Sequence, residues 1–282
     1  MSSIKITVMH TGHIHIYPKR LQDGYSLYKA FGITTSKEDW VWLPVSSYLI
    51  EHPKGNILFD TGWGRSISPN GVFDGTAQIK AFASTLLYKL NQGYVELGMT
   101  AKEQLNKKGI KPEDIDYVIL SHLDCDHTQG LKDLLGVKNV LVSREEYSFS
   151  RRINLINQIR YHSRWIRGMP VRFFDWNSSG GPFHKSYDLF GDNSIQLISL
   201  PGHSPGHLGI KIKDRAGKYV LLYGDAAHNS RSWQLAQPTG IIVDRKKQIE
   251  TLKWIREESI NPYCIESIGN HDPDVHPHVI NL

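Results

Sequence analysis

A chain of 282 residues, 40% hydrophobic and 22% charged, is long enough to bury a large core. Its 24 glycines and 13 prolines are spread along the chain, which excludes disordered, collagen-like and coiled-coil classes. Lys and Arg number 33 against 28 Asp and Glu, a mild +5 without the dense basic tract of a nucleic-acid binder, and no apolar run approaches the roughly 18 residues of a membrane helix.

The first residues, Met1 to Met9, read as a strand with no basic-then-apolar signal region, so a cytoplasmic protein is expected, with neither nucleic acid nor membrane as partner. Further β-rich runs follow at Val45–Glu51, Asn56–Asp60, Tyr117–Ser121, Asn139–Ser143, Ile195–Leu200, His207–Lys213, Tyr219–Tyr223 and Cys264–Ile268. Helical periodicity predicts helices over Ala77–Gln92, Ala101–Lys108, Ile153–Trp165 and Arg245–Glu258, with Thr100 and Glu103 set for a capping box. Three segments are irregular and rich in aromatics, Gly and Ser: Pro18–Trp42, Trp63–Gly75 and Arg167–Asp188. Such segments line sites or contacts between subunits. Strand pairs both before and between helices suit a mixed α/β sandwich better than a regular parallel sheet, and no linker or repeat breaks the chain, so one domain spanning residues 1–282 is expected.

Two cysteines, Cys125 and Cys264, cannot frame a disulfide scaffold and form no CxxC pair. Fourteen histidines are the unusual count. Four ligand-type residues, His122, Asp124, Asp126 and His127, fall within six positions directly after the apolar run Tyr117–Leu120. At a strand end, positions two apart face the same way, so His122 and Asp124 can share one metal while the following turn directs Asp126 and His127 at a neighbour. His203, Asp225 and His271 each stand just past a later strand, where loops gather at one rim of a sheet.

With Asp60-Thr61-Gly62 after a hairpin strand, the His122-to-His127 motif and the ordered single His, Asp and His, the chain resembles the metallo-β-lactamase superfamily. Within it the SHLxxDH form, the string Pro201 to His207 (PGHSPGH), the strand Val45–Ile50 and the late His271-Asp272-Pro273 look most like the N-acyl homoserine lactonases. The resemblance implies a four-layer αββα sandwich with the metal site at one rim of the sheets. It implies two divalent metals, zinc first and iron or manganese as alternatives. His122, Asp124 and His203 would hold one metal; Asp126, His127 and His271 the other; Asp225 would bridge them. The implied activity is opening of a small lactone, such as an acyl homoserine lactone, by a metal-bridging hydroxide. Asp126 would pass a proton to the leaving alkoxide, and Asp60 would order the ligand loop through hydrogen bonds. A homodimer is expected from the same resemblance.

Two positions depart from the family pattern. Asp124 stands where the motif has a second histidine, adding an anion that lowers the positive charge of the centre and shifts preference toward iron or manganese. An iron-dependent oxidoreductase is therefore an alternative, as are thioesterase, phosphodiesterase or β-lactamase-like hydrolysis, and a ligand-binding protein with a weakened site. His228 stands where the lactonases place a tyrosine, and can donate a similar hydrogen bond or act as an acid. His207, Cys125 and the alternating His10, His13 and His15 read as structural, Gly202 and Gly206 as tight turns, and His276 and His278 as solvated.

Overall fold

The computed structural model describes residues 3–16, 41–238 and 241–282. The chain enters on β1 (Lys5–Ile16), returns on β2 (Val41–His52) and turns tightly into β3 (Gly55–Phe59). Helices α1 (Gly75–Phe82) and α2 (Thr85–Leu90) lead to β4 (Gln92–Tyr94). Then come α3 (Ala101–Lys107), β5 (Ile115–Ile119), the single turn α4 (Cys125–Thr128) and β6 (Val140–Ser143). Helices α5 (Arg144–Ser150) and α6 (Leu155–Arg160) precede the strands β7 (Val171–Phe174), β8 (Ser186–Asp188), β9 (Ile195–Ser199), β10 (Leu208–Lys213) and β11 (Tyr219–Gly224). The remainder is α7 (Ser230–Gln234), α8 (Arg245–Ser259), β12 (Cys264–Gly269) and β13 (Val279–Asn281).

Two sheets result: one ordered β13-β1-β2-β3-β5-β6-β7 with β4 also on β1, the other β12-β11-β10-β9-β8. Their inner faces meet in one apolar layer, where Ile6, Tyr48, Ile50 and Phe59 face Leu197, Ile210, Val220 and Leu222. The outer face of the first sheet packs Leu49, Leu58 and Val118 on Ala101 and Leu105 of α3. On the second sheet, Ile198, Leu221 and Tyr223 meet Leu252 and Ile255 of α8. Helix, sheet, sheet and helix thus make the expected αββα sandwich. Strand β2 shows why: Leu43 through Ile50 are all buried, the mark of a strand covered on both faces rather than alternating with solvent. In α8 the buried positions Gln248, Thr251, Leu252 and Ile255 repeat at helical spacing and form one stripe.

Three expectations need correction. The helix expected over Ala77–Gln92 breaks at Ala83, which is left-handed (φ 47°), and restarts at Ser84, whose side chain caps Leu87 N. The helix expected over Ile153–Trp165 ends at Arg160, and Tyr161 is extended. Arg167–Asp188 is less irregular than expected, since it supplies β7 and β8. Of Pro18–Trp42 only Val41 and Trp42 are described, and they begin β2. Trp63–Gly75 does remain mostly loop, anchored by the fully buried Trp63, whose indole N–H donates to His13 O at 3.0 Å. Strand β1 is longer than its apolar start suggests because Gly12, at φ 117°, lets it bulge between His10 and His13 and continue. A side chain there would strike Tyr94 O at 2.5 Å.

Candidate metal centre

The parallel pairs β3–β5 and β11–β12, with β9 pointing the same way as β11, bring five strand ends to one rim between the sheets. Asp60 follows β3, the segment His122–His127 follows β5, His203 follows β9, Asp225 follows β11 and His271 follows β12. All are buried. Their potential ligand atoms gather in two groups, His122, His203 and Asp225 in one and Asp126, His127 and His271 in the other, each within 4.8 Å.

In the second group His271 Nε2 lies 3.3 Å from Asp126 Oδ2 and 3.2 Å from Asp225 Oδ1, and His127 Nε2 lies 3.5 and 3.4 Å from the same oxygens. Asp124 is not in the first group so drawn, but its Oδ2 lies 3.3 Å from His122 Nε2 and 3.1 Å from His203 Nε2, which are 3.2 Å from each other. Ligand bonds of about 2.0–2.2 Å in tetrahedral array put neighbouring ligand atoms about 3.2–3.6 Å apart, so both groups fit a divalent cation. Asp225 reaches both groups, through Oδ1 to His127 and His271 and through Oδ2 to His203 at 3.9 Å.

The opposite edges of the His127, His271 and His122 rings are tied back, which fixes the tautomer and aims Nε2 inward, whereas His203 Nδ1 is buried without a hydrogen bond. His127 Nδ1 donates to Asp60 Oδ2 (2.8 Å) and His271 Nδ1 to Pro44 O (2.8 Å). His122 Nδ1 donates to Ser121 Oγ (2.9 Å), which donates in turn to Asp60 Oδ2 (2.8 Å), while Ser121 N donates to Asp60 Oδ1 (2.8 Å). Asp60 therefore orders the ligand loop, and it does so from a left-handed backbone (φ 56°) that a non-glycine residue occupies only at a cost.

Electrostatics divide the two groups. Burial works against charge on His271, but Asp225 and then Asp126 outweigh it and raise the imidazole to about 10. His127 is likewise raised well above its ordinary value against the cost of burial, by Asp225, Asp126 and Asp60. His203 moves the other way, down to about 4, through burial and the neighbouring Arg160. Burial also lowers His228 to about 3, so its imidazole is neutral at pH 7; Nε2 stands 3.9 Å from Asp225 Oδ2. At that distance the ring lies beside Asp225 without a hydrogen bond to it, close to the ligand groups.

Arg160 was not anticipated. Its Nε donates to Asp124 Oδ1 (2.5 Å), its Nη2 to Asp124 Oδ2 (2.7 Å) and its Nη1 to His203 O (3.1 Å). The expected unbalanced charge on Asp124 is therefore offset by a guanidinium, and burial notwithstanding, that partner holds the carboxyl well below its usual range. The argument for iron weakens accordingly. Nothing local marks Arg160, 36 residues beyond Asp124. Glu146 was also missed: its Oε1 accepts from Leu123 N (3.2 Å), its Oε2 from Ser204 Oγ (2.6 Å) and Gly206 N (3.2 Å), so it pins two ligand loops together. A signal existed, because Ser143 and Glu146 have the spacing of a helix start, and Ser143 Oγ does accept from Glu146 N. Gly206 is required less for a turn than for this approach, since a Cβ would lie 2.0 Å from Glu146 N.

The remaining readings divide. His207 is structural, its Nε2 accepting from Asp225 N at 3.1 Å. Cys125 is fully buried in an apolar cluster, where burial pushes its thiol up. His13 stacks on Tyr94 and His15 on Trp42. His278 is not merely solvated: Nε2 pairs with Glu266 Oε2 at 2.9 Å. Beside the ligand loop a cavity of ≈ 290 Å³ is lined by Leu123, Tyr147, Asn157, Tyr161, His162 and Ile166, among others. Among the described residues no helix is long and apolar enough to cross a membrane.

Comparison with known proteins agrees with this geometry. A family model described as the metallo-beta-lactamase superfamily matches residues 40–257. The N-acyl homoserine lactonase AttM of Azorhizobium caulinodans is 26% identical over 248 residues, 83% of this chain and 84% of that protein. An N-acyl homoserine lactonase of Bacillus cereus is 28% identical over 235 residues, 82% of each. Among solved structures, an N-acyl homoserine lactone hydrolase with the product N-hexanoyl-L-homoserine at its catalytic metal centre superposes with a TM-score of 0.73 at 23% identity, covering 96% of this chain and 94% of that one.

Proposed function

The chain belongs to the metallo-beta-lactamase superfamily, a hydrolase of that fold close to the N-acyl homoserine lactonases, and from that premise we propose that it opens the ring of an acyl homoserine lactone or a related lactone at a two-metal centre. The observation that carries this reading is the pair of ligand groups joined through Asp225. His122, Asp124 and His203 would hold one cation and Asp126, His127 and His271 the other, with zinc suited to the histidine-rich donor set. Such cations, when bound, supply Lewis-acid polarisation of the ester carbonyl and an acidified water as nucleophile.

The protein's own groups do the rest. Asp225 sets the spacing of the two groups by reaching both. Asp126, buried beside His271, is positioned to take the proton of the attacking water and pass it to the departing alkoxide. Neutral His228 offers an N–H toward the substrate carbonyl in place of the relatives' tyrosine. The cavity beside Leu123, where Tyr147 and Ile166 stand among polar neighbours such as Arg151 and Gln158, offers partly apolar walls to an acyl tail. The reading includes a single domain and a homodimer.

Adding an acyl homoserine lactone to metal-loaded protein should release acid and consume the ring. Asp225→Ala should lower the rate by about a thousandfold, the several kcal/mol that metal-centred charge stabilisation supplies. Equal turnover by wild type and Asp225→Ala, across zinc, manganese and iron, would sink the proposal.

A further inference from the structure

The two ligand groups are not equivalent, and Arg160 is the reason. Its guanidinium is buried, permanently charged, and has all three of its nitrogens engaged: Nε and Nη2 on the two oxygens of Asp124, Nη1 on His203 O. Its face also lies over the Tyr161 ring, 5.1 Å from the centroid. One contact bears directly on metal binding. Nη2 lies 2.6 Å from His203 Nε2, the ring nitrogen that faces His122 and Asp124. An N–H directed at that nitrogen uses the same lone pair that a metal would use.

Partners that support a metal site ordinarily bond the far side of a ligand, as Asp60 does for His127 and Pro44 O for His271. Arg160 bonds the near side. It neutralises Asp124, occupies His203 Nε2 and places a fixed positive charge against the first group. No corresponding cation touches Asp126, His127 or His271 among the contacts described.

We infer that Arg160 competes with a metal for the first ligand group, so that the two sites fill in order, the Asp126–His127–His271 site tightly and the His122–Asp124–His203 site weakly. This rests on the two-metal reading above. In that arrangement the first-group metal enters last and leaves first, and Arg160 must swing its Nη2 off His203 for it to bind. The Nε bond to Asp124 Oδ1 can persist while Oδ2 turns to the metal, so Arg160 acts as a positioning residue as well as a competitor.

The test is a cobalt(II) titration of chelator-stripped, full-length protein, followed by visible absorbance against a series of competing chelators, for wild type and Arg160→Met. The wild type should show two unequal steps. In Arg160→Met the weaker step should tighten by about tenfold or more, because a like charge and a competing donor are both removed. A purely structural role for Arg160 predicts the opposite, a weaker first site in the variant. The inference is overturned if wild type shows two indistinguishable steps, a result that needs no variant, or if Arg160→Met binds its weaker metal no more tightly than wild type. If wild type binds no cobalt at all, the two-metal reading itself fails, and that failure is seen without reference to Arg160.

Discussion

The two ligand groups draw on the same residue types, yet the fold supports them differently. The second group is held from behind, by Asp60 on His127 and by the Pro44 carbonyl on His271, and its imidazoles face two carboxylates. The first is held from behind only at His122, through Ser121, from the side by Glu146, which fixes Leu123 between His122 and Asp124, and from the front at His203 by Arg160. Ligand identity alone does not set a site; the direction from which each ligand is bonded decides whether its lone pair is aimed at a metal or already taken.

Removing the first group's support should give the largest effect. In Glu146→Ala the backbone N–H groups of Leu123 and Gly206 and the Ser204 hydroxyl lose their acceptor while buried, which costs about 3 kcal/mol of folding stability in urea titration. A loss below about 1 kcal/mol would mean that other contacts hold these loops. The second group is probed by Asp60→Asn, which weakens the acceptor for His127 Nδ1; metal affinity of that group should fall about ten- to a hundredfold in chelator competition, with less effect on the first. Equal losses at both would show that Asp60 acts as much through Ser121 and His122 as through His127. A smaller effect sharpens the contrast by pH. His271, raised to about 10, carries a proton at pH 7 in metal-free protein, whereas His203 at about 4 is bare. Filling the second group should therefore release at least the His271 proton and weaken as pH falls, while His203 contributes none to filling the first. Calorimetry in buffers of different ionisation heat measures this, and release confined to the weak step would reverse the assignment.

The sequence made the ligand-bearing segments legible because each sits in a short loop after an apolar strand, where composition and position agree. The same holds for α3, whose Thr100–Glu103 capping box forms as read. Arg160 and Glu146 were illegible for different reasons. Arg160 acquires its role only because α6 ends on it and carries it across to Asp124, a long-range outcome that local periodicity cannot express. Glu146 lies in a short helix whose cap signal was present but whose apolar pattern is weak. Strands β7, β8 and β13 are only three or four residues long and take their structure from a neighbour's edge rather than from their own alternation. Asp124 illustrates the remaining gap: its identity departed from the family pattern, and only its partner determines what that departure does to the charge.

The course of β1 has a consequence for biosynthesis. Lys5, Ile6 and Thr7 pair with Asn281, Ile280 and Val279, so one edge of the first sheet joins segments more than 270 residues apart in the chain. At about 5–20 residues per second, synthesis leaves the early strands without that neighbour for tens of seconds. During that interval the strand edge is open to pairing with another nascent chain, so high contact order gives this protein a slow final zippering step and a window in which chaperone occupancy would improve its yield.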